Sequence, residues 1–343
     1  MHFKDIEINN FRGFDYLKIE DFGQINLFVG KNNSGKTSVL EAFAFLSTPH
    51  NIQIASSINE WVRDFSVKKI SDYFNFFHNQ SIENEPTINA SLVNKTISQS
   101  RVLKLSISDI LTFDLGGFPT NSTFSAKYKI NKESFELKTI FENGAIPKYE
   151  SNLKKETIIN TQIIAGKQPF QNLFFFVGRL REIKNTSQLV TVLKKIEPRL
   201  LDIEVVDGKV LLNLDGIDKL LPINFNGDGI QKIATIIAAI FWIKDGILFI
   251  DEIENGLHYT AHKTLWKGII DACKVANVQI FATTHSLESL KYLNEVLQEK
   301  EYIDFQEKVR CYDLVKTKLK GFQAYKYNFE GFSHALEMET EIR

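Results

Sequence analysis

Hydrophobic and polar positions alternate in short bursts at the start of the chain. Phe3-Lys4-Asp5-Ile6-Glu7-Ile8 and Tyr16-Leu17-Lys18-Ile19 read as antiparallel strands on either side of the Arg12-Gly13 turn. Ile25-Asn26-Leu27-Phe28-Val29 reads as a buried strand, and Ser38-Val39-Leu40-Glu41-Ala42-Phe43-Ala44-Phe45-Leu46 as a helix. Residues 87–92 look strand-like, and residues 124–130 and 135–140 alternate as the arms of a hairpin. A second hairpin is marked by Asp207-Gly208 between residues 202–206 and 209–214, because a type I′ turn needs two residues that tolerate positive φ. Beyond residue 225 the period changes: an apolar helix over 230–243, a buried strand over 246–250, a helix over about 260–274 and a strand over 278–283. Helices alternating with buried strands predict a parallel sheet, whose chemistry belongs at the carboxyl ends of its strands. The pattern as a whole predicts an α/β fold with a mixed sheet, an antiparallel N-terminal subsheet and an inserted α+β region.

Between the third strand and its helix lies Gly30-Lys31-Asn32-Asn33-Ser34-Gly35-Lys36-Thr37, followed by Ser38. Glycines let the backbone wrap a polyphosphate, amides at the helix N-terminus point at its oxygens, Lys36 bridges the terminal phosphates and Thr37 takes Mg²⁺. Strand, loop and helix in that order are the context this motif requires. Farther on, Ile247-Leu248-Phe249-Ile250 ends in Asp251-Glu252, a Walker B pattern in which Asp251 faces Mg²⁺ and Glu252 polarises water. The two acids could also merely cap a strand. Paired with a phosphate loop they acquire a purpose, since ATP hydrolysis needs metal, lysine and a water-positioning carboxylate around one γ-phosphate.

Composition narrows the picture less. With 343 residues, 43% hydrophobic, the chain can bury a large core. Its 41 basic and 42 acidic residues leave no global electrostatic footprint for nucleic acid or membrane, although a local basic groove is compatible with that balance. Cys273 and Cys311 are too few for a disulfide framework, and Cys273 reads as a core residue. No apolar run is long enough for a bilayer and the start lacks a signal peptide, so a cytoplasmic protein without a membrane partner is expected. No heptad run or internal repeat is present.

The long interval from Lys36 to Asp251 suits a lobe interrupted by an insertion, and at this point the chain resembles the ABC-type ATPases. That resemblance implies a P-loop NTPase of the ABC type, with residues 1–50 and 226–343 forming the ATPase lobe and 51–225 inserted. It places Asn226, Gly227, Asp228 and Gly229 as a signature loop gripping the γ-phosphate on a partner subunit, Ile253-Glu254-Asn255-Gly256-Leu257-His258 as the D-loop, and His285 as the switch histidine. Within that class the chain is similar to the OLD-like (overcoming lysogenization defect) ATPases of bacterial antiviral defence. The likeness rests on Asn10-Phe11-Arg12-Gly13-Phe14, residues 30–42, Gly227-Asp228-Gly229, residues 251–258, Ala282-Thr283-Thr284-His285-Ser286 and the terminal Glu341-Ile342-Arg343.

The resemblance implies an ATP- and Mg²⁺-dependent enzyme that dimerises around ATP, with Glu252, His285 and Lys36 catalytic. The short segment after His285 leaves no room for a fused Toprim nuclease, so a separate effector, a nuclease or a toxin, is expected. Arg12 matches the family's N-terminal arginine and approaches the nucleotide, or else is a surface turn residue. Gln80 is a candidate for completing the Mg²⁺ shell. His258 and His262 have the spacing of a zinc pair but lack a third ligand, so they read as a D-loop histidine and a solvated helical one. Lys316, Lys318 and Lys320 alternate along a strand-like run, and Arg179 and Arg181 read as surface residues. A RecF- or SMC-like DNA-repair ATPase, a scaffold that hardly hydrolyses ATP and a transporter subunit are the competing readings.

Overall fold

The computed structural model describes residues 1–51, 53–63, 65–94, 97–108, 121–142, 147–153, 159–165, 172–226, 228–319 and 321–338. Strands β1 (His2–Phe11), β2 (Phe14–Glu20) and β3 (Ile25–Val29) lead to helices α1 (Lys36–Ser47) and α2 (Ile54–Arg63) and two short 3-10 segments, Ile70–Phe76 and His78–Gln80. Strands β4 (Thr87–Val93), β5 (Ser98–Ser108), β6 (Asn121–Ile130), β7 (Glu133–Glu142), β8 (Lys148–Ser151) and β9 (Thr161–Ile164) follow, then helices α3 (Leu173–Glu182) and α4 (Thr186–Leu193). Strands β10 (Leu200–Val206), β11 (Lys209–Leu214) and β12 (Leu221–Pro222) precede α5 (Asp228–Trp242), β13 (Ile247–Ile250), α6 (His262–Ala276), β14 (Gln279–Thr283) and α7 (Leu287–Gln298). The last elements are β15 (Val309–Thr317), β16 (Gly321–Tyr327) and α8 (Phe329–Glu337).

Two compact units cut across the linear segments 1–50, 51–225 and 226–343. The first comprises Met1–Phe22, Gly30–Ile159 and Asp313–Tyr325, the second Gly23–Val29, Asn160–Tyr312 and Lys326–Arg343.

In the first unit a seven-stranded sheet runs β2-β1-β4-β5-β6-β7-β8, every neighbouring pair antiparallel. The two-residue period of the sequence explains it. Ile88, Ala90 and Leu92 of β4, Leu103 and Leu105 of β5, and Phe124, Ala126 and Tyr128 of β6 are buried while the residues between them are less so.

Helix α1 has almost no solvent-facing side, and the sheet also completes its hydrogen bonding. The last carbonyls of a helix lack intrahelical donors. Here Thr48 Oγ1 donates to the Ala44 carbonyl at 2.7 Å, Tyr128 Oη to Phe45 at 3.1 Å and the fully buried Arg101 Nη1 to Leu46 at 2.6 Å. The Arg101 cation also sits at the negative end of the helix dipole.

The second unit holds the parallel strands β3, β14, β13 and β9 side by side in that order. β3, β13 and β14 are buried along their whole lengths, as strands covered on both faces must be. The β10–β11 hairpin turns at Asp207 (φ 50°) and Gly208 (φ 72°), both in the left-handed region that the Asp-Gly pair predicts. Cys273 is buried as expected, and burial pushes its thiol pKa up, which keeps it an inert core group. Among the described residues no helix is long and apolar enough to cross a membrane. α1 begins at Lys36 and α5 at Asp228, two residues ahead of the sequence reading in each case.

Candidate active site

The phosphate loop belongs to the first unit. Gly30 (φ 132°), Asn33 (φ 63°) and Gly35 (φ 92°) take backbone conformations that ordinary side chains avoid. At Gly35 the requirement is double, because a Cβ there would lie 2.4 Å from the Phe14 ring. Gly35 is the N-cap of α1 and supplies no side-chain cap, so the first turn of the helix presents amide donors in the manner that suits an anion. The buried Ser34 hydroxyl has no hydrogen-bond partner. Lys36 is buried, its Nζ donating to the carbonyls of Gly30 at 2.7 Å and Lys31 at 2.9 Å. A cradle built on glycines at positive φ, an uncapped helix start, an orphan hydroxyl and a poised lysine fits a nucleotide polyphosphate.

Arg12 is not a surface turn residue. Glu41, fully buried in α1, accepts Arg12 Nε at 2.7 Å and Arg63 Nε at 2.5 Å. Arg12 also donates to Asn59 Oδ1 at 2.9 Å and the Asn75 carbonyl at 3.2 Å, with its guanidinium 4.2 Å from the Phe76 ring centroid. Burial lowers the Arg12 pKa and Glu41 opposes that shift. Arg63 in turn donates to Ser38 Oγ at 3.1 Å, so the network reaches the residue after Thr37.

Sequence reasoning missed Glu41, Arg63 and Asn59, although a lone acid in the apolar run of α1 was the available signal. Removing one partner of a buried ion pair strands the other, at a cost of roughly 3–5 kcal/mol. Denaturant unfolding of Glu41→Ala should therefore show a loss of about that size, and a loss below about 1 kcal/mol would contradict the clamp. Gln80 is exposed, with φ 57°, at the end of its 3-10 segment.

The acids belong to the second unit. Thr283, buried at the end of β14, donates its hydroxyl to Asp251 Oδ1 at 2.7 Å and receives the Glu252 amide at 2.8 Å. Glu252 stands at φ 51°, and its Oε2 accepts from Asn255 Nδ2 at 2.6 Å. His285 is exposed, its amide donating to Glu254 Oε1 at 2.6 Å. Lys232 of α5 is 1% exposed and donates to the carbonyls of Glu252 at 3.2 Å and Asn255 at 2.5 Å. Lys232 was not singled out in the sequence, and Thr283 and Glu254 were named there only as members of longer motifs, since the contacts of all three appear only in the folded chain.

Burial lowers the Lys232 pKa from 10.5 to about 8, against the opposing pull of Glu254 and Glu252. The folded state then binds fewer protons than the unfolded one between pH 8 and pH 10.5. The cost of the buried charge is fully present below pH 8 and is relieved as pH rises toward 10.5. Relative to Lys232→Met, the wild type should accordingly gain about 1–2 kcal/mol between pH 7 and pH 9.5, measured by urea unfolding at each pH.

His262 corrects the sequence reading. It is buried rather than solvated, its ring stacked 6.1 Å from Tyr292, and burial lowers its pKa. It lies on the same helical face as Leu265, Trp266 and Ile269, which explains its depth. His258 is exposed and paired with Thr260. Among the described residues no group of three or more His, Cys, Asp or Glu side chains could hold a metal. Mg²⁺ does not need one, because it keeps several waters and binds through one or two protein groups plus phosphate oxygens. Thr37 and Asp251 have that chemistry. Asn226 ends a 3-10 segment, Asp228 and Gly229 form the first turn of α5, and Gly227 lies outside the described residues. Lys316 lies on β15 but Lys318 is in the following turn, so these lysines do not line one strand, and Lys320 lies outside the described residues.

The model of the AAA ATPase domain family AAA_15 matches residues 1–289, a span that takes in the phosphate loop, both acids and His285. The chain belongs to that family. As an ATPase it also resembles a Helicobacter pylori protein described as an ATP/GTP phosphatase, 25% identical over 357 residues that cover 90% of this chain and 91% of the relative. A shorter likeness, 34% identical over 68 residues, links 19% of this ATPase to 18% of the DNA replication and repair protein RecF of Oceanobacillus iheyensis. The fold of the ATPase is that of the SMC head domain from Thermotoga maritima, with a TM-score of 0.52 at 11% identity over 96% of this chain and 99% of that one. The expected ABC-type P-loop architecture is thereby shown.

Proposed function

We propose that this ATPase hydrolyses Mg²⁺-bound ATP and dimerises around it, each nucleotide held by one subunit's phosphate loop and closed over by the Asn226–Gly229 segment of the other. The observation that carries the reading is the phosphate loop itself, with its uncapped helix start, its orphan Ser34 hydroxyl and Lys36 already inside. Gly30, Lys31, Asn32, Asn33, Ser34, Gly35 and Ser38 cradle the phosphates, and Lys36 moves its ammonium from loop carbonyls to phosphate oxygens. Thr37 and Asp251 hold the metal, with Gln80 completing its shell. Bound Mg²⁺ neutralises charge on the β- and γ-phosphates. Glu252 orients and deprotonates water, and His285 senses the γ-phosphate. The Arg12 network fixes the hairpin and α2 to the helix that carries the loop.

Resemblance to the OLD-like ATPases supports a cytoplasmic regulatory role in antiphage defence, with ATP-bound dimers controlling a separate nuclease or toxin. The partial RecF likeness favours a second reading, a DNA-repair ATPase. One experiment separates them. Light scattering and ATP turnover are measured with and without duplex DNA across a salt series. ATP-dependent dimers whose turnover ignores DNA support the regulatory reading, whereas DNA stimulation that collapses steeply with salt supports repair. A protein that stays monomeric with a non-hydrolysable ATP analogue would overturn the dimer.

A further inference from the structure

Beyond the phosphate loop, the second unit contains a buried polar cluster that the proposed chemistry does not use directly. It joins three elements: α5 through Lys232, the turn after β13 through Glu254, and the start of α6 through His262. The turn is tight, with the Ile253 amide on the Thr283 carbonyl, the Asn255 amide on the Glu252 carbonyl and the Leu257 amide on the Glu254 carbonyl, each at 3.0 Å. Lys232 enters from beneath and binds the carbonyls at both ends of the Glu252–Asn255 segment. Glu254 reaches the other way. Its Oε1 holds the His285 amide, while its buried Oε2 has no hydrogen-bond partner. Nearby, His262 Nδ1 is buried and equally without a partner. Lys232 and His262 both lie close enough to Glu254 to interact with its charge.

A buried lysine and a half-buried glutamate with one buried, unpartnered oxygen contribute little to stabilising a fold, because desolvating them offsets what their hydrogen bonds return. Their geometry does something else. Glu252 is held at φ 51°, a conformation a glutamate adopts only when its surroundings enforce it. The enforcing contacts are Lys232 on its carbonyl, Asn255 on its carboxylate and Thr283 on its amide. Two residues later the same turn grips the backbone of His285. The turn after β13 and the loop after β14 are therefore joined directly.

We propose that Lys232 and Glu254 are positioning residues for hydrolysis, forming a clamp that holds Glu252 and His285 in register with each other. The clamp rests on the catalytic roles proposed above for Glu252 and His285. Lys232 fixes the turn from which Glu252 projects, and Glu254 ties the His285 loop to that turn. Neither Lys232 nor Glu254 is among the residues proposed above to hold the nucleotide or its metal, so the clamp acts on turnover and not on affinity.

The test is a double-mutant cycle on the full chain, with kcat and KM for ATP measured for Glu254→Ala, His285→Ala and the double variant, and with Glu254→Gln and Lys232→Met alongside. Glu254→Ala should lower kcat about 10- to 100-fold, the size of a lost hydrogen bond to a charged group, and leave KM within about twofold. Lys232→Met, which fills the same space without a charge, should also lower kcat while keeping its melting temperature. In the His285→Ala background, Glu254→Ala should cost little more, since it acts through that loop. Fully additive losses, or a KM effect equal to the kcat effect, would overturn the clamp. Glu254→Gln keeps an acceptor for the His285 amide and should hold kcat within a few-fold of the wild type; should Glu254→Ala fail to fold, Glu254→Met, which fills the space without an acceptor, takes its place in the cycle. Wild-type turnover by His285→Ala would instead overturn the role given to His285, a different failure with its own signature.

Discussion

Replacing Lys36 by alanine should reduce ATP turnover about 10²- to 10³-fold, the cost of removing one preorganised donor from a developing oxyanion, and should weaken ATP binding as well. The fold should survive. Lys36 donates to the carbonyls of Gly30 and Lys31, and a typical hydrogen bond contributes only about 0.5–1.5 kcal/mol net. The melting temperature therefore shifts by a few degrees while the affinity, read by isothermal titration of ATP, falls by orders of magnitude. Wild-type affinity in a folded Lys36→Ala protein would remove the phosphate loop from the nucleotide site. Gly35→Ala tests the cradle by a different route. A methyl group at φ 92° and 2.4 Å from the Phe14 ring should disorder the loop without touching its lysine.

The second large effect is expected at Glu252. Glu252→Gln removes the base but keeps the shape and leaves a carbonyl oxygen to accept Asn255 Nδ2, so the left-handed turn persists. General-base catalysis contributes about 10²- to 10⁴-fold, and turnover should fall by that factor while ATP binding is preserved. If ATP joins two subunits and hydrolysis releases them, the variant should accumulate as a dimer with ATP, visible by light scattering, and return to monomers when ATP is removed. Hydrolysis at the wild-type rate would reassign the catalytic acid. Loss of turnover without dimer accumulation would keep the acid and discard the assembly switch.

How much of this was legible in the sequence depends on how far apart the interacting residues lie. The phosphate loop could be read because its chemistry needs contiguous residues, and the Asp251-Glu252 pair because it ends a fully buried strand. The β10–β11 turn could be read because Asp-Gly satisfies a backbone requirement locally. Helix α1 starts earlier than its polar-to-apolar change suggests, since Gly35 gives no side-chain cap signal. The Glu41 clamp was hidden. Its arginines are 29 and 22 residues away in sequence, and a charge pattern over such intervals looks like ordinary surface. Lys232 was hidden for a related reason, because a lysine in an apolar helix is read as reaching for solvent, whereas this one ends on two carbonyls. His262 was placed by its type, and its spacing from Leu265, Trp266 and Ile269 was the better guide.

The capping of α1 by the sheet bears on how the protein responds to its ligand. With the Ala44, Phe45 and Leu46 carbonyls each engaged by a side chain, two of them from β5 and β6, the helix has no fraying end. Its amides should exchange with solvent only on global unfolding of its unit. A phosphate arriving at the opposite terminus then meets donors that are already fixed, and little ordering entropy opposes its capture. The helix behaves as a stiff strut planted in the sheet, and whatever flexes during the ATP cycle lies elsewhere than in the element that holds the nucleotide.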